Sequence, residues 1–157
     1  MEARFNLFAN DVVTKFFKRI GNAGLAIDHS TLPKATQELV KIRASQINGC
    51  GFCTDMHTKD ATAEGETAVR LNLVAAWREA TVFTEAERAA LALAEEGTRL
   101  ADAHHGVSDE TWEQVRKHYD DEQIGALISL VALINAYNRL NVIARTPAGS
   151  YEPGMFS

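Results

Sequence analysis

A chain of 157 residues, 46% hydrophobic and 24% charged, with 10 glycines and 3 prolines, has the length of one domain and can bury roughly 70% of the surface its unfolded form exposes. That composition excludes disorder and collagen-like architecture. A formal net charge of −5 argues against a nucleic-acid binder, which needs a basic footprint to neutralise phosphate; the one basic cluster, Lys15-Phe16-Phe17-Lys18-Arg19, reads as the polar side of an amphipathic helix.

The first residues, MEARFNLFANDVV, carry Glu2 and Arg4 and lack the long apolar core followed by small residues of a signal peptide, so the cytoplasm is the expected compartment. The most apolar stretch, Ala126 to Asn135, is interrupted by Ser129 and falls short of the ~20 residues a spanning helix needs. It predicts a core helix and no membrane partner. A compartment that keeps thiols reduced makes a static disulfide between Cys50 and Cys53 a poor expectation and leaves redox or metal chemistry.

Helical periodicity runs through the whole chain, and strand-like alternation is almost absent. Phe16, Phe17, Ile20 and Ile27 predict a first helix from about Asp11, with Gly21 and Gly24 weakening its second half. Pro33 suits the first turn of a second helix, whose apolar positions Leu39, Val40, Ile42, Ala44 and Ile47 end at the turn-forming Asn48-Gly49. A third helix starts around Cys50 and stops at Glu64-Gly65, and a short one covers about Thr67 to Ala76. Trp77 and Phe83 lie in a connecting segment as packing residues. Thr84 and Glu87 have capping-box spacing for an alanine-rich helix to about Ala101. His104-His105-Gly106 reads as an exposed loop, Ser108-Asp109-Glu110 caps a helix through His118, and Asp120 to Gln123 caps a last helix to about Arg145. That helix looks apolar on nearly every side, as expected of one buried centrally or against another subunit. Residues 146–157 have no helical period and predict an arm or a disordered tail. The fold class is all-α: a single domain spanning 1–157, six to seven helices, with its core over about 10–145.

Both cysteines stand in one stretch, NGCGFCTDMH, residues 48–57. At ~100° per residue Cys50, Cys53 and His57 share a helix face, and Cys53 and His57, four apart, are within reach of each other. Histidine can take a thiol proton and leave the thiolate that attacks an electrophile. A helix N-terminus also favours an anion in the first turn. The two effects point to different sulfurs: the helix terminus favours Cys50 as the attacking thiol, the histidine favours Cys53. Two thiols at this spacing can also complete a cycle through a sulfenic acid and a disulfide that an external thiol resets.

Glu38, eleven residues, Cys50, two residues, Cys53, three residues and His57 reproduce the E-x11-C-x2-C-x3-H pattern. In this the chain resembles the AhpD-like alkylhydroperoxidases of the carboxymuconolactone decarboxylase superfamily. Leu73-Val-Ala-Ala-Trp-Arg78 and Phe83-Thr-Glu-Ala-Glu-Arg-Ala-Ala-Leu91 are similar to its downstream segment, so that the resemblance covers about residues 10–145. It implies an all-helical fold assembled as a homotrimer or homohexamer. It implies further a thiol-dependent peroxidase reducing hydrogen peroxide or organic hydroperoxides, with Cys53 as peroxidatic nucleophile, Cys50 as resolving thiol, and Glu38 and His57 as proton relay. No metal, haem or flavin is implied; the electrons come from a reduced dithiol protein or a small-molecule thiol. Some members carry another histidine between the cysteines, where this chain has Gly51-Phe52.

Other readings stand beside this one. Two small cysteines can simply be buried on a helix face. Cys50, Cys53, His57 and Glu38 are also a formal zinc ligand set, although one rigid helix face converges poorly on a tetrahedron. Glu38, with Lys34 and Lys41 four before and three after it, can be one member of a solvated ion-pair row. The remaining functional alternatives are a lactone decarboxylase on the same scaffold, which does not use a redox thiol pair, and a redox-sensing or zinc-stabilised module without turnover.

Overall fold

The computed structural model describes residues 2–156, and among them there are helices and no strand. Seven α-helices follow in order: α1 Asp11–Asp28, α2 Lys34–Ile47, α3 Gly51–Ala63, α4 Ala68–Leu73, α5 Glu85–Thr98, α6 Asp109–His118 and α7 Asp121–Ala144, with short 3₁₀ turns at Leu7–Ala9, Val74–Ala76 and Leu100–Asp102. Their starts are set by side-chain caps. Asn10, Thr67 and Ser108 accept backbone N–H groups at the heads of α1, α4 and α6. Full capping boxes form at Thr84 with Glu87 and at Asp120 with Gln123.

Helix α2 lies at the centre, packed on α3, α5 and α7. Its two apolar sides feed two clusters. Leu39 and Ile42 join Leu71, Val74, Trp77, Phe83 and Leu91, whereas Val40 joins Leu93, Val115, Leu127 and Leu130. Trp77 and Phe83 are therefore core residues of the segment between α4 and α5, and Arg88 ties that segment down by donating to the carbonyls of Trp77, Arg78 and Ala80. Glu95 on α5 is buried but compensated, accepting from Arg43 Nε at 2.6 Å, from Trp77 Nε1 at 2.9 Å and from Arg78.

Helix α1 runs unbroken through Gly21 and Gly24; a Cβ at Gly24 would lie 3.3 Å from Leu133, so this glycine lets α1 approach α7 closely. Helix α7 has about the span its cap and apolar run predict: at 24 residues it is the one described helix long and apolar enough to cross a membrane by length and composition, and it packs against α1, α2, α3 and α5. One expectation needs correction: α7 is not apolar on nearly every side, because Asn135, Asn138 and Asn141 form a buried polar seam along it.

Residues 146–156 form an arm over α3. Gly149 N–H donates to Asp55 at 2.8 Å, Lys59 Nζ donates to the Gly149 and Tyr151 carbonyls, and the buried Tyr151 hydroxyl donates to Asp60 at 2.8 Å. Phe156 stacks on Phe8 and Tyr151, both at 5.8 Å between ring centroids.

Candidate active site

The corner between α2 and α3 builds the site. Gly49, at φ +65°, takes the left-handed conformation that ends α2. Its N–H donates to Gln46 O at 3.3 Å and the Cys50 N–H to Ser45 O at 2.9 Å, which is the double bond of a Schellman motif. Cys50 is also the N-cap of α3: its Sγ accepts the Cys53 N–H at 3.4 Å. One residue thus closes one helix with its backbone and opens the next with its sulfur. Both cysteines are free and buried, 2% and 1% exposed, so neither sulfur meets bulk solvent.

Glu38 and His57, nineteen residues apart, come together across the α2–α3 contact, with His57 Nδ1 2.9 Å from Glu38 Oε2. The other carboxylate oxygen accepts from Lys41 Nζ at 2.8 Å. Burial pushes the Glu38 carboxyl up, but the His57 hydrogen bond and the Lys41 charge outweigh it and hold its pKa at about 2. An ionised Glu38 accepts the Nδ1 proton and leaves His57 Nε2 as the nitrogen that can take or give one. Among the described residues no hydrogen bond joins His57 to either sulfur; the ring and Cys53 sit one turn apart on α3. A cleft of about 360 Å³ bordered by Lys34, Ala35, Ala61 and Glu64 opens on the Glu38 side.

The two thiols shift each other's titration. Interaction with the Cys53 thiol, against burial and with the Cys53 N–H and the Asn138 amide, brings the Cys50 thiol below its ordinary value. The Cys53 thiol moves up, because its proton is held by Cys50 and because it is buried beside that charge. Negative charge on the resting pair is thus favoured at Cys50, the sulfur at the N-terminus of α3.

Residues that periodicity did not single out complete the surroundings. Asn48 Nδ2 donates to Asn135 Oδ1 at 2.9 Å and to Asn138 Oδ1 at 2.8 Å, Asn138 donates to Ser45, and Asn141 Nδ2 stands 3.6 Å from Cys53 Sγ. Phe52 and Tyr137 pack against the cluster of Ala44, Cys50, Cys53 and Ile134. From them an aromatic series runs outward through Phe17, Phe8 and Phe156. Phe8 thus joins the N-terminal segment to the aromatic shell around the thiols. His104 and His105 are exposed, far along the chain in the loop before α6. Among the described residues no three His, Cys, Asp or Glu side chains converge as a metal cluster.

The carboxymuconolactone decarboxylase family model matches residues 12–96. The chain is 42% identical over 121 residues to the uncharacterised protein YdfG of Bacillus subtilis, covering 77% of this chain and 81% of that protein. Its fold matches, with a TM-score of 0.86 and 34% identity over 96% of this chain and 100% of the other, a protein of unknown function from Agrobacterium tumefaciens proposed as the antioxidant defence protein AhpD. A second solved structure, the AhpD core of an uncharacterised peroxidase-related protein from Ralstonia eutropha, matches at TM-score 0.73 over 89% of this chain and 72% of that one; at 22% identity it speaks for the fold alone. An all-helical chain with these matches and this α2–α3 corner belongs to the carboxymuconolactone decarboxylase family, in its AhpD-like form.

Proposed function

We propose that this protein is a thiol-dependent peroxidase that reduces hydrogen peroxide or organic hydroperoxides through Cys53 and Cys50. The observation that carries the reading is the pairing of two buried thiols at the head of α3, where Cys50 Sγ accepts the Cys53 N–H, with a buried Glu38–His57 couple one turn further along the same helix. His57 Nε2 takes the Cys53 proton, directly or through one oxygen of substrate or water, and ionised Glu38 steadies the imidazolium. The Cys53 thiolate attacks the terminal oxygen of ROOH: an S–O bond forms, the O–O bond breaks, and the alkoxide leaves with the proton from His57 as ROH. Cys50 then attacks the Cys53 sulfenic acid, forming the disulfide and releasing water. An external thiol or dithiol protein supplies two electrons and two protons to restore both thiols, without a bound cofactor. A reducing cytoplasm would supply that donor.

We further propose that the chain assembles as a homotrimer or homohexamer. Support comes from α1 and α7, which leave Val12, Phe16, Ile128, Val142 and Ile143 exposed.

The test is single-turnover oxidation of the reduced protein with one equivalent of hydroperoxide, followed by sulfenic acid trapping. Cys53→Ser should abolish hydroperoxide consumption above background, and Cys50→Ser should stop at a Cys53 sulfenic acid. Sulfenic acid trapped at Cys50 in the Cys53→Ser protein, and none at Cys53 in the Cys50→Ser protein, would reverse the two roles. Equal consumption by the native protein and its Cys53→Ser variant would rule the cysteine cycle out.

A further inference from the structure

Resting on the peroxidase reading, we infer that the Asn141 carboxamide is a further catalytic group: its Nδ2 steadies the Cys53 thiolate and its Oδ1 accepts the O–H of the hydroperoxide oxygen under attack. Asn141 lies in the last turn of α7 and is 5% exposed. Its Nδ2 has two hydrogens. One goes to the Tyr137 carbonyl at 3.0 Å, and the other faces Cys53 Sγ at 3.6 Å. This fixes which end of the amide is which, because exchanging the two would set Oδ1 against the Tyr137 carbonyl, acceptor against acceptor.

Oδ1 is then the informative atom. It is buried and has no hydrogen-bond partner among the described residues. An orphaned buried acceptor costs about 1–3 kcal/mol and asks for a reason. The rest of the seam shows how readily such an oxygen is satisfied: the Oδ1 atoms of Asn135 and Asn138 both accept from Asn48. The open oxygen belongs to the seam residue whose nitrogen stands 3.6 Å from Cys53 Sγ. Gln37 Oε1 is likewise buried without a partner, but its amide donates to the Leu32 carbonyl, at the opposite end of α2 from the thiols.

The chemistry matches the group. The oxygen that sulfur attacks is the one bearing hydrogen, and it keeps that hydrogen as S–O bonds form, ending as Cys53–S–O–H. What should face it is an acceptor that holds a proton without removing it, and a neutral amide oxygen does so. A carboxylate would repel the thiolate beside it. The amide N–H also acts selectively, since it reaches Cys53 and not Cys50. It therefore opposes the preference of the resting pair for charge on Cys50, and shifts the thiolate towards the sulfur next to His57.

The experiment uses full-length protein in a Cys50→Ser background, so that Cys53 is the one thiol. Rates of oxidation by hydrogen peroxide and of modification by methyl methanethiosulfonate, an electrophile with no O–H or N–H to donate, are measured against pH and divided by the thiolate fraction. Asn141→Leu should raise the apparent pKa of Cys53 and lower the per-thiolate peroxide rate about 10- to 100-fold, as loss of a hydrogen bond in a charged site does. The per-thiolate thiosulfonate rate should stay within about threefold, because that reagent never uses Oδ1. Asn141→Ser, which keeps a smaller donor and acceptor, serves if the leucine variant does not fold, and should retain part of the peroxide preference. Equal per-thiolate losses towards both reagents, or an unchanged pKa, overturn the inference and leave the peroxidase reading standing. Peroxide inertness of the Asn141-bearing protein, with ordinary thiosulfonate reactivity, overturns both.

Discussion

Glu38 carries a negative charge where burial alone would neutralise it, and this makes the site a source of acid sensitivity. Its carboxyl titrates at about 2 when folded against 4.5 ordinarily. The folded state therefore binds its proton less tightly than the unfolded state does. The stabilisation is complete above pH 4.5 and drains away as pH falls towards 2. A shift of that size corresponds to on the order of 3 kcal/mol. Urea denaturation at a series of pH values should show Glu38→Gln protein losing less stability over this range than the native protein; parallel curves would mean that Lys41 and His57 do not hold the charge as described. Asp55, Glu87 and Glu95 are shifted in the same direction, so part of the slope should persist in the variant. At this scale the sequence was informative about the pairs and silent about the last contacts. Spacing places His57 on the face of Cys53, but only the packing of α3 on α2 shows that its ring nitrogen is engaged by Glu38.

Elements were legible where a local rule acts. Thr84 with Glu87 and Asp120 with Gln123 announce helix starts through their own spacing, and Asn48-Gly49 announces a stop. The seam on α7 was hidden because Asn135, Asn138 and Asn141 look like mild interruptions of an apolar run; their partners Ser45, Asn48 and Thr98 stand on other elements. The arm was open in outcome because backbone groups hold much of it, at Gly149 and Tyr151, and backbone bonds leave no residue-type signal. The stop at Gly49 is testable. No atom lies within 4 Å of where its Cβ would stand, so Gly49→Ala probes backbone conformation alone. We expect it to cost roughly 1–2 kcal/mol in urea denaturation, and Gly49→Asn to cost less, since asparagine tolerates the left-handed region. Equal losses for the two would show that the corner relaxes to another conformation.

At the scale of the whole molecule, the apolar surface is distributed unevenly. α1 buries Ile27 and leaves Val12, Phe16 and Leu25 exposed, while Val142 and Ile143 project from the end of α7. The proposed assembly accounts for such a surface. Sedimentation equilibrium should return three or six times the 17.2 kDa chain mass, and Ile143→Glu should move it towards the single chain by setting a charge in an apolar contact. A native mass of one chain at high micromolar concentration would remove the assembly proposal without touching the thiol chemistry. The Asn48 seam has one more consequence, for how the molecule ages. Asparagine followed by glycine is the dipeptide most prone to deamidation, in which the glycine nitrogen attacks the side-chain amide to form a succinimide. Here the Gly49 N–H is engaged by Gln46 O, and Asn48 Nδ2 is held by Asn135 and Asn138. The polar ladder that joins α2 to α7 therefore also guards a chemical clock: conversion of Asn48 to aspartate would set a carboxylate against two amide oxygens, beside the corner that carries Cys50.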